Sequence, residues 1–244
     1  MKVISLYDFT GEAVRPWAEA GASCYCYDIQ HKYWQKEHPN ATVKVGKGSI
    51  TFLKADLHNV EVLDEIFAEH DPATTFARKV DFLIGFPVCS DLAVSGSAHF
   101  KSKRAVNETF QLEATQHAIN CAKLAERFDC PYMIENPVSR LATLWRKPDH
   151  YFHPFEYGGY LSDAEADHPT WPDYIPPKDA YSKKTCLWVS KDGFVMPQKR
   201  PVECESFGSS RQHRLLGGKS MKTKNIRSAT PRGFAKAVFE ANYK

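Results

Sequence analysis

Apolar positions along this chain fall into short runs that end on turn-forming or acidic residues. Val3-Ile4-Ser5-Leu6-Tyr7, Ala22 to Tyr27, Ile50 to Ala55, Val80 to Ile84 and Cys130 to Ile134 are rich in β-branched and aromatic residues. Each reads as a buried strand. Between them lie stretches with helical spacing. Val14 to Ala20 tolerates Pro16 in its first turn, and Val60 to Phe67 is amphipathic and stops at Asp71-Pro72. Residues 105–127 hold no Gly or Pro and predict one continuous helix. Strand alternating with helix is the crossover unit of a parallel sheet, so the class is α/β. Tyr181 to Ser190 predicts a further strand, and Arg227 to Phe239 a closing helix capped near Thr230, with Pro231 at its first position.

The remaining stretches lack such a period. Tyr33 to Lys47 reads as a polar excursion, and His99 to Arg104 as a basic, mobile loop suited to touching phosphate. Val138 to Ala180, rich in Pro, Tyr, Trp and His, reads as irregular chain on the sheet edge rather than a separate domain. This organisation predicts one domain from 1–190 and 227–244, interrupted by a short basic insertion at 191–226.

Chemistry gathers just past the strand ends, where open α/β sheets bind ligands. The first strand runs into Asp8-Phe9-Thr10-Gly11, a tight turn whose glycine signature is weakened by Glu12 and Ala13. Asp28 and Asp56 close the second and third strands. An acid at the second position accepts ribose hydroxyls, although an Asp there also serves as a helix cap. The next strand delivers Gly85-Phe86-Pro87-Val88-Cys89, and the one after it Glu135-Asn136-Pro137. Cys89 alone is as well explained as an ordinary loop cysteine. A thiol and a carboxylate at neighbouring strand ends form a candidate nucleophile and acid partner.

In order and spacing these signatures resemble the DNA (cytosine-5)-methyltransferases, especially the small phage and prophage forms. Pro87-Val88-Cys89 stands where that family has Pro-Pro-Cys, and Glu135-Asn136-Pro137 where it has Glu-Asn-Val. Asp8, Phe9 and Gly11 match Asp-x-Phe-x-Gly, and Thr109-Phe110 matches Thr-Leu. The resemblance covers most of 3–190 and again 223–240. It implies a Rossmann-like class I S-adenosylmethionine-dependent fold with a mostly parallel seven-stranded sheet. It implies Cys89 as nucleophile, Glu135 as its acid partner, and Lys183 in place of one arginine of a Gln-x-Arg-x-Arg strand, with Thr185 replacing the other. For the cofactor it implies Phe9, Thr10, Gly11 and Arg15 around the first turn, Asp28 on the ribose and Ile29 on the adenine face. Asp56 and Leu57 at the adenine edge, Pro87 and Phe110 complete the wall. Arg227-Ser228 stands where the family has Gly-Asn. The donor is S-adenosylmethionine or, with Arg15 and Arg227 as carboxylate clamps, carboxy-S-adenosylmethionine. The substrate is a cytosine flipped out of DNA. Two other readings stay open: the same chemistry on a free pyrimidine nucleotide, and a non-catalytic nucleic-acid-binding relic.

Composition adds one asymmetry. The chain of 244 residues is 43% hydrophobic and 25% charged, ordinary for a globular protein. Its net charge of +3 hides a basic third. Residues 181–232 hold twelve Lys or Arg against three acids, an excess of nine, so the rest carries −6. A segregated basic segment fits a polyanion. The insertion is too short for a full base-reading domain, which predicts recognition of about one to three bases. No run approaches the ~20 apolar residues of a membrane span, and the N-terminus shows no signal-peptide pattern. Seven irregularly spaced cysteines argue against a disulfide framework. Cys186, Cys204 and His213 lack a Cys-x-x-Cys pair, so no metal is expected. The expectation is a monomer in the cytoplasm of a bacterial or phage-infected cell.

Overall fold

The computed structural model describes residues 1–75, 78–206, 210–218 and 220–243. The chain separates into two compact units. One comprises Met1–Phe9, Trp17–Tyr151 and Thr185–Phe194, and the other Thr10–Pro16, Phe152–Lys184 and Val195–Lys244. The predicted 191–226 insertion is thus not a unit of its own. Most of it groups with the aromatic-rich stretch that sequence reading attached to the sheet edge.

The sheet has eight strands among the described residues: β1 Lys2–Leu6, β2 Ser23–Asp28, β3 Thr42–Val45, β4 Gly48–Lys54, β5 Phe82–Gly85, β6 Tyr132–Pro137, β7 His150–Phe152 and β8 Thr185–Val189. Their order is β3-β4-β2-β1-β5-β6-β8-β7. Pairings β1–β2, β2–β4, β1–β5 and β5–β6 are parallel, while β3–β4 and β6–β8 are antiparallel. The class is α/β with a mostly parallel sheet, carrying one strand more than the seven expected. Two strands were unforeseen: the short β7, in the stretch read as irregular chain, and β3, in the supposed polar excursion. The Thr-Val-Lys-Val run of β3 is largely exposed, so no buried face announced it. Gly46 at φ +56° makes the turn back into β4, and a Cβ there would lie 2.6 Å from the Glu19 backbone.

The chain first builds outward from β1 through β2 to β4, then returns to the other side of β1 for β5 and β6. This reversal puts a topological switch point between β1 and β5, where such sheets open a crevice at their carboxyl edge.

Helices α1 Arg15–Glu19, α2 Val60–His70, α3 Pro72–Thr75, α4 Phe100–Val106, α5 Phe110–Arg127 and α6 Leu141–Leu144 connect these strands. The helix expected over 105–127 is broken. Asn107 ends α4 in an extended conformation (φ −141°, ψ 109°), and its Oδ1 accepts the Thr109 N–H at 2.9 Å. The supposed mobile loop before it is α4 itself. α5 buries Ala114, Ala118, Cys121, Ala122 and Ala125, small residues at helical spacing that let it approach the sheet closely. Ile4, Leu6, Leu83 and Ile134 meet them in one core. On burial of such apolar surface, about 25 cal/mol per Å², rests the stability of this layer.

The second unit carries short 3-10 turns at Pro154–Tyr160 and Pro177–Asp179, then α7 Arg211–Leu215, α8 Met221–Ser228 and α9 Arg232–Asn242. The closing helix foreseen with its cap near Thr230 is α9, which starts one residue later with Pro231 at its N-cap, and Arg227 and Ser228 belong instead to the separate α8. Phe234 of α9 stacks on Phe152 with centroids 3.8 Å apart, and Tyr157 packs edge-on against it. Gly233 is required there, since a Cβ would sit 2.4 Å from the Tyr157 carbonyl oxygen. Its N–H donates to the buried carboxylate of Asp179 at 2.9 Å.

Candidate active site

β5 ends at Gly85, and the Phe86 N–H still donates to the Leu6 carbonyl of β1 at 3.0 Å. Beyond it the chain leaves the sheet as the loop that carries Cys89. This loop is fastened from two sides. The side-chain amide of Asn136, in β6, donates to the Pro87 carbonyl at 2.9 Å. Past the cysteine, the Val94 N–H donates to the Val138 carbonyl at 3.2 Å and the Arg140 N–H to the Leu92 carbonyl at 2.9 Å. From the other side Lys103 of α4 pairs with Asp91 and donates to the Ser90 carbonyl at 3.3 Å. Gln111 of α5 donates to the Asp91 carbonyl at 3.2 Å. Within the loop the Cys89 carbonyl accepts from both Leu92 and Ala93, at 3.0 and 2.8 Å, which closes a tight turn.

Glu135 lies inside β6, not beyond it as the sequence suggested, paired with Leu187 of β8. Gly85, the last residue of β5, is in register with Ile134, so Glu135 opens the part of β6 that runs on past β5, at the edge where the loop bearing Cys89 leaves the sheet. Strand alternation turns Glu135 away from the face shared by Ile134 and Asn136. Ile134 is core, Asn136 is 1% exposed and Glu135 is half-buried.

Four of the other cysteines are poor nucleophiles. Burial pushes the thiols of Cys24, Cys121 and Cys130 up to about 12, and that of Cys26 well above its usual range. They remain protonated at neutral pH. Cys89 is partly exposed on its loop.

At the end of β1, Tyr7 takes a left-handed conformation (φ 59°) and its N–H donates to the Tyr27 carbonyl at 2.8 Å. Asp8 is buried, accepting from the Ser5 hydroxyl at 2.8 Å. Phe9 is 38% exposed and stacks on His31 at 5.8 Å, which meets Phe52 edge-on at 5.1 Å. Burial holds His31 below its ordinary pKa, so it is neutral at pH 7. At the end of β2, Asp28 accepts the Gln30 N–H on Oδ1 at 2.8 Å, a local turn and not the helix cap that was its alternative sequence reading, since the next helix is α2. Ile29 beside it is 51% exposed. Asp56, past β4, is exposed and accepts the His58 N–H at 3.2 Å.

Two expected wall residues need correction. Leu57 is 2% exposed and belongs to the core, leaving its side chain unavailable to a ligand; its carbonyl accepts the Tyr7 hydroxyl at 3.0 Å. Phe110 is buried against Phe100 at the start of α5.

The remaining expected residues fall in the second unit. Gly11 takes φ +70° and its carbonyl accepts the Arg15 N–H at 3.1 Å; Thr10 accepts the Glu12 N–H at 3.3 Å. Arg15 has Glu12 beside it at 3.5 Å. Lys183 lies outside β8, before Thr185, so it occupies no strand position. It donates to the Arg227 carbonyl at 3.0 Å. The Arg227 guanidinium in turn donates to the Leu216 carbonyl at 2.5 Å, and Ser228 to Asn225 at 3.3 Å.

Asn136 and the stacked imidazoles of His58 and His117, 4.0 Å apart, were missed by sequence reasoning. Asn136 had a signal, since it follows Glu135 directly. The histidine pair joins residues far apart in the chain and had none. Neither a cluster of three metal-ligating side chains nor a helix long and apolar enough to cross a membrane occurs among the described residues.

No family model matches this chain, and no curated protein matches it. Among solved structures it is similar to a short-chain dehydrogenase/reductase from Serratia marcescens, a doubly substituted variant, at 16% identity and a TM-score of 0.26. That match covers 48% of this chain and 50% of the other, so it spans half the length of that relative.

Proposed function

We propose that this chain is a class I S-adenosylmethionine-dependent enzyme that transfers a methyl group to carbon 5 of cytosine in DNA. The observation that carries the reading is the Asn136–Pro87 hydrogen bond at 2.9 Å, which ties the thiol's loop to the strand bearing the carboxylate. Cytosine carbon 5 is too weakly nucleophilic to accept a methyl unaided. Attack of the Cys89 thiolate on carbon 6 forms a C–S bond and turns the ring into an enamine with electron density at carbon 5. Glu135, as a carboxylic acid, donates to ring N3 and offsets the charge that develops there. After transfer, carbon 5 loses its proton to water and the C–S bond breaks, restoring the double bond and freeing Cys89.

The residues at the carboxyl edge fit the donor. Phe9 and Ile29 are large apolar side chains left exposed at two strand ends, suited to the faces of an adenine ring. Asp28 and Asp56 supply acceptors for ribose and amino groups. When bound, S-adenosylmethionine supplies an electrophilic methyl on a sulfonium. The carboxylated donor is less well supported, because Arg15 already has Glu12 beside it and Arg227 donates to a main-chain carbonyl.

The test is Cys89→Ser. Loss of transfer and of the covalent adduct with DNA containing 5-fluorocytosine, with cofactor binding retained, is the expected result. An adduct formed by the variant would overturn the assignment.

A further inference from the structure

The outer edge of the sheet carries chemistry that the transfer reaction does not use. From Gln30 to Ala55 the chain holds Lys32, Lys36, Lys44, Lys47 and Lys54 against Glu37 alone, although the chain outside 181–232 is acidic as a whole. This stretch lies entirely in the first unit. β3 is the terminal strand, paired with β4 and with no strand on its other side.

The loop from β2 into β3 presents aromatic side chains along this edge. The Tyr33 carbonyl accepts the Lys54 N–H at 2.5 Å and the Ala41 carbonyl accepts the Phe52 N–H at 2.8 Å, so both ends of the loop are fastened to β4. Between them Tyr33 stacks on His38, with centroids 4.0 Å apart. The Lys54 ammonium lies 4.9 Å from the Trp34 ring centroid and steadies the indole from one face. Trp34 is nonetheless 62% exposed, which leaves a flat aromatic surface open to solvent.

The lysines divide by what they touch. Lys36 is paired with Glu69 at 3.0 Å, and Lys54 serves the indole. Lys32, Lys44 and Lys47 are exposed and make no ion pair among the described residues. Lys44 stands opposite Ser49 of β4, five residues from Lys54, which is about 17 Å at the rise of a strand. A stacking surface at one end and uncommitted cations down an open edge suit an unpaired polynucleotide. Such a strand offers a base face to the indole and a phosphate at every step to the lysines. A duplex hides its base faces, and an acidic protein surface answers the cations but not the indole.

We infer that a single-stranded polynucleotide docks along this edge, with a base stacked on Trp34 and phosphates held by Lys32, Lys44 and Lys47. The surface is separate from the thiol and carboxylate of the proposed transfer and goes beyond that reading.

The experiment uses the full chain and a short labelled oligothymidylate. Because this probe holds no cytosine, its binding is independent of the transfer reading, and either can fail alone. Trp34→Ala is expected to weaken binding about tenfold or more, and Trp34→Phe to lose less because an aromatic face remains. Lys32→Ala, Lys44→Ala and Lys47→Ala are each expected to lower the log–log salt slope by about 0.7. Circular dichroism verifies the fold of each variant. Oligothymidylate affinity unchanged in Trp34→Ala, or salt slopes unchanged in all three lysine variants, would overturn the inference. So would an equal loss in Trp34→Ala for the oligothymidylate–oligoadenylate duplex, which would make the edge a general phosphate surface. Polyglutamate or phosphatidylserine vesicles that bind and lose as much in Trp34→Ala would likewise overturn it, assigning the edge to an acidic protein or a membrane.

Discussion

Asn136 donates its side-chain amide to the main-chain carbonyl of Pro87 at 2.9 Å, so the strand bearing Glu135 holds the loop bearing Cys89. The contact is almost wholly buried, and the Asn136 Oδ1 has no hydrogen-bond partner among the described residues. On the proposed mechanism, a tether of this kind sets the distance between two reacting groups without touching either.

Asn136→Ala therefore leaves a buried carbonyl unmet and releases the loop. The stability cost is about 1–3 kcal/mol. On the proposed mechanism the rate of adduct formation with 5-fluorocytosine DNA falls about 100-fold, because small displacements of reacting groups are that costly. Cofactor affinity, measured by calorimetry, stays within a factor of about two. Asn136→Asp fares no better, since a carboxylate presents no donor to Pro87. An unchanged adduct rate in folded Asn136→Ala would remove the residue from any positioning role.

Gly85 ends β5 where α5 comes closest. A Cβ there would meet the Cys121 Sγ at 3.1 Å and its Cβ at 3.2 Å. Gly85→Ala is expected to cost about 1–3 kcal/mol by overpacking, read as a lower urea midpoint. Cys121→Ala removes the sulfur, so the double variant should be less destabilised than the two single losses summed, by at least about 0.5 kcal/mol. Strict additivity in that cycle would show that the clash is relieved elsewhere.

In the second unit, burial raises the Asp179 carboxyl to about 6 from its usual 3.8. The folded state thus binds this proton more tightly than the unfolded chain does. Stability from this group is present below about pH 4 and is lost as pH climbs toward 6, after which it is flat. The full swing is on the order of 2–3 kcal/mol. Asp179→Asn keeps an oxygen for the Gly233 N–H without the buried charge. Its unfolding free energy relative to the parent should therefore rise between pH 4 and pH 7. A difference that does not vary over that range would show that Asp179 is not titrating as described.

Much of the sheet was legible because its signals are local. β1, β2, β4, β5 and β6 are runs of apolar and β-branched residues, and such a run reports burial wherever it lies. Asp8 and Cys89 fall just past those runs and Asp28 is the last residue of β2, so their placement at strand ends needed no knowledge of neighbours. The strand ends shift by one to three residues, which is why Glu135 turned out to be in β6.

Only the tertiary structure decided the rest, because it depends on which segments meet. β3 exists through its pairing with β4, not through its own exposed residues. The break at Asn107 turns on one side-chain oxygen outcompeting helical hydrogen bonding. Leu57 and Asp56 adjoin in sequence, yet one is core and the other exposed. Lys183 follows the strand-like periodicity but stops short of β8, and its charge serves the Arg227 carbonyl. The sequence by itself thus determined an α/β sheet with acids, a thiol and a carboxylate near its strand ends. The division into two units and the tether from Asn136 to Pro87 came from long-range contacts, whose free energy no local window of sequence contains.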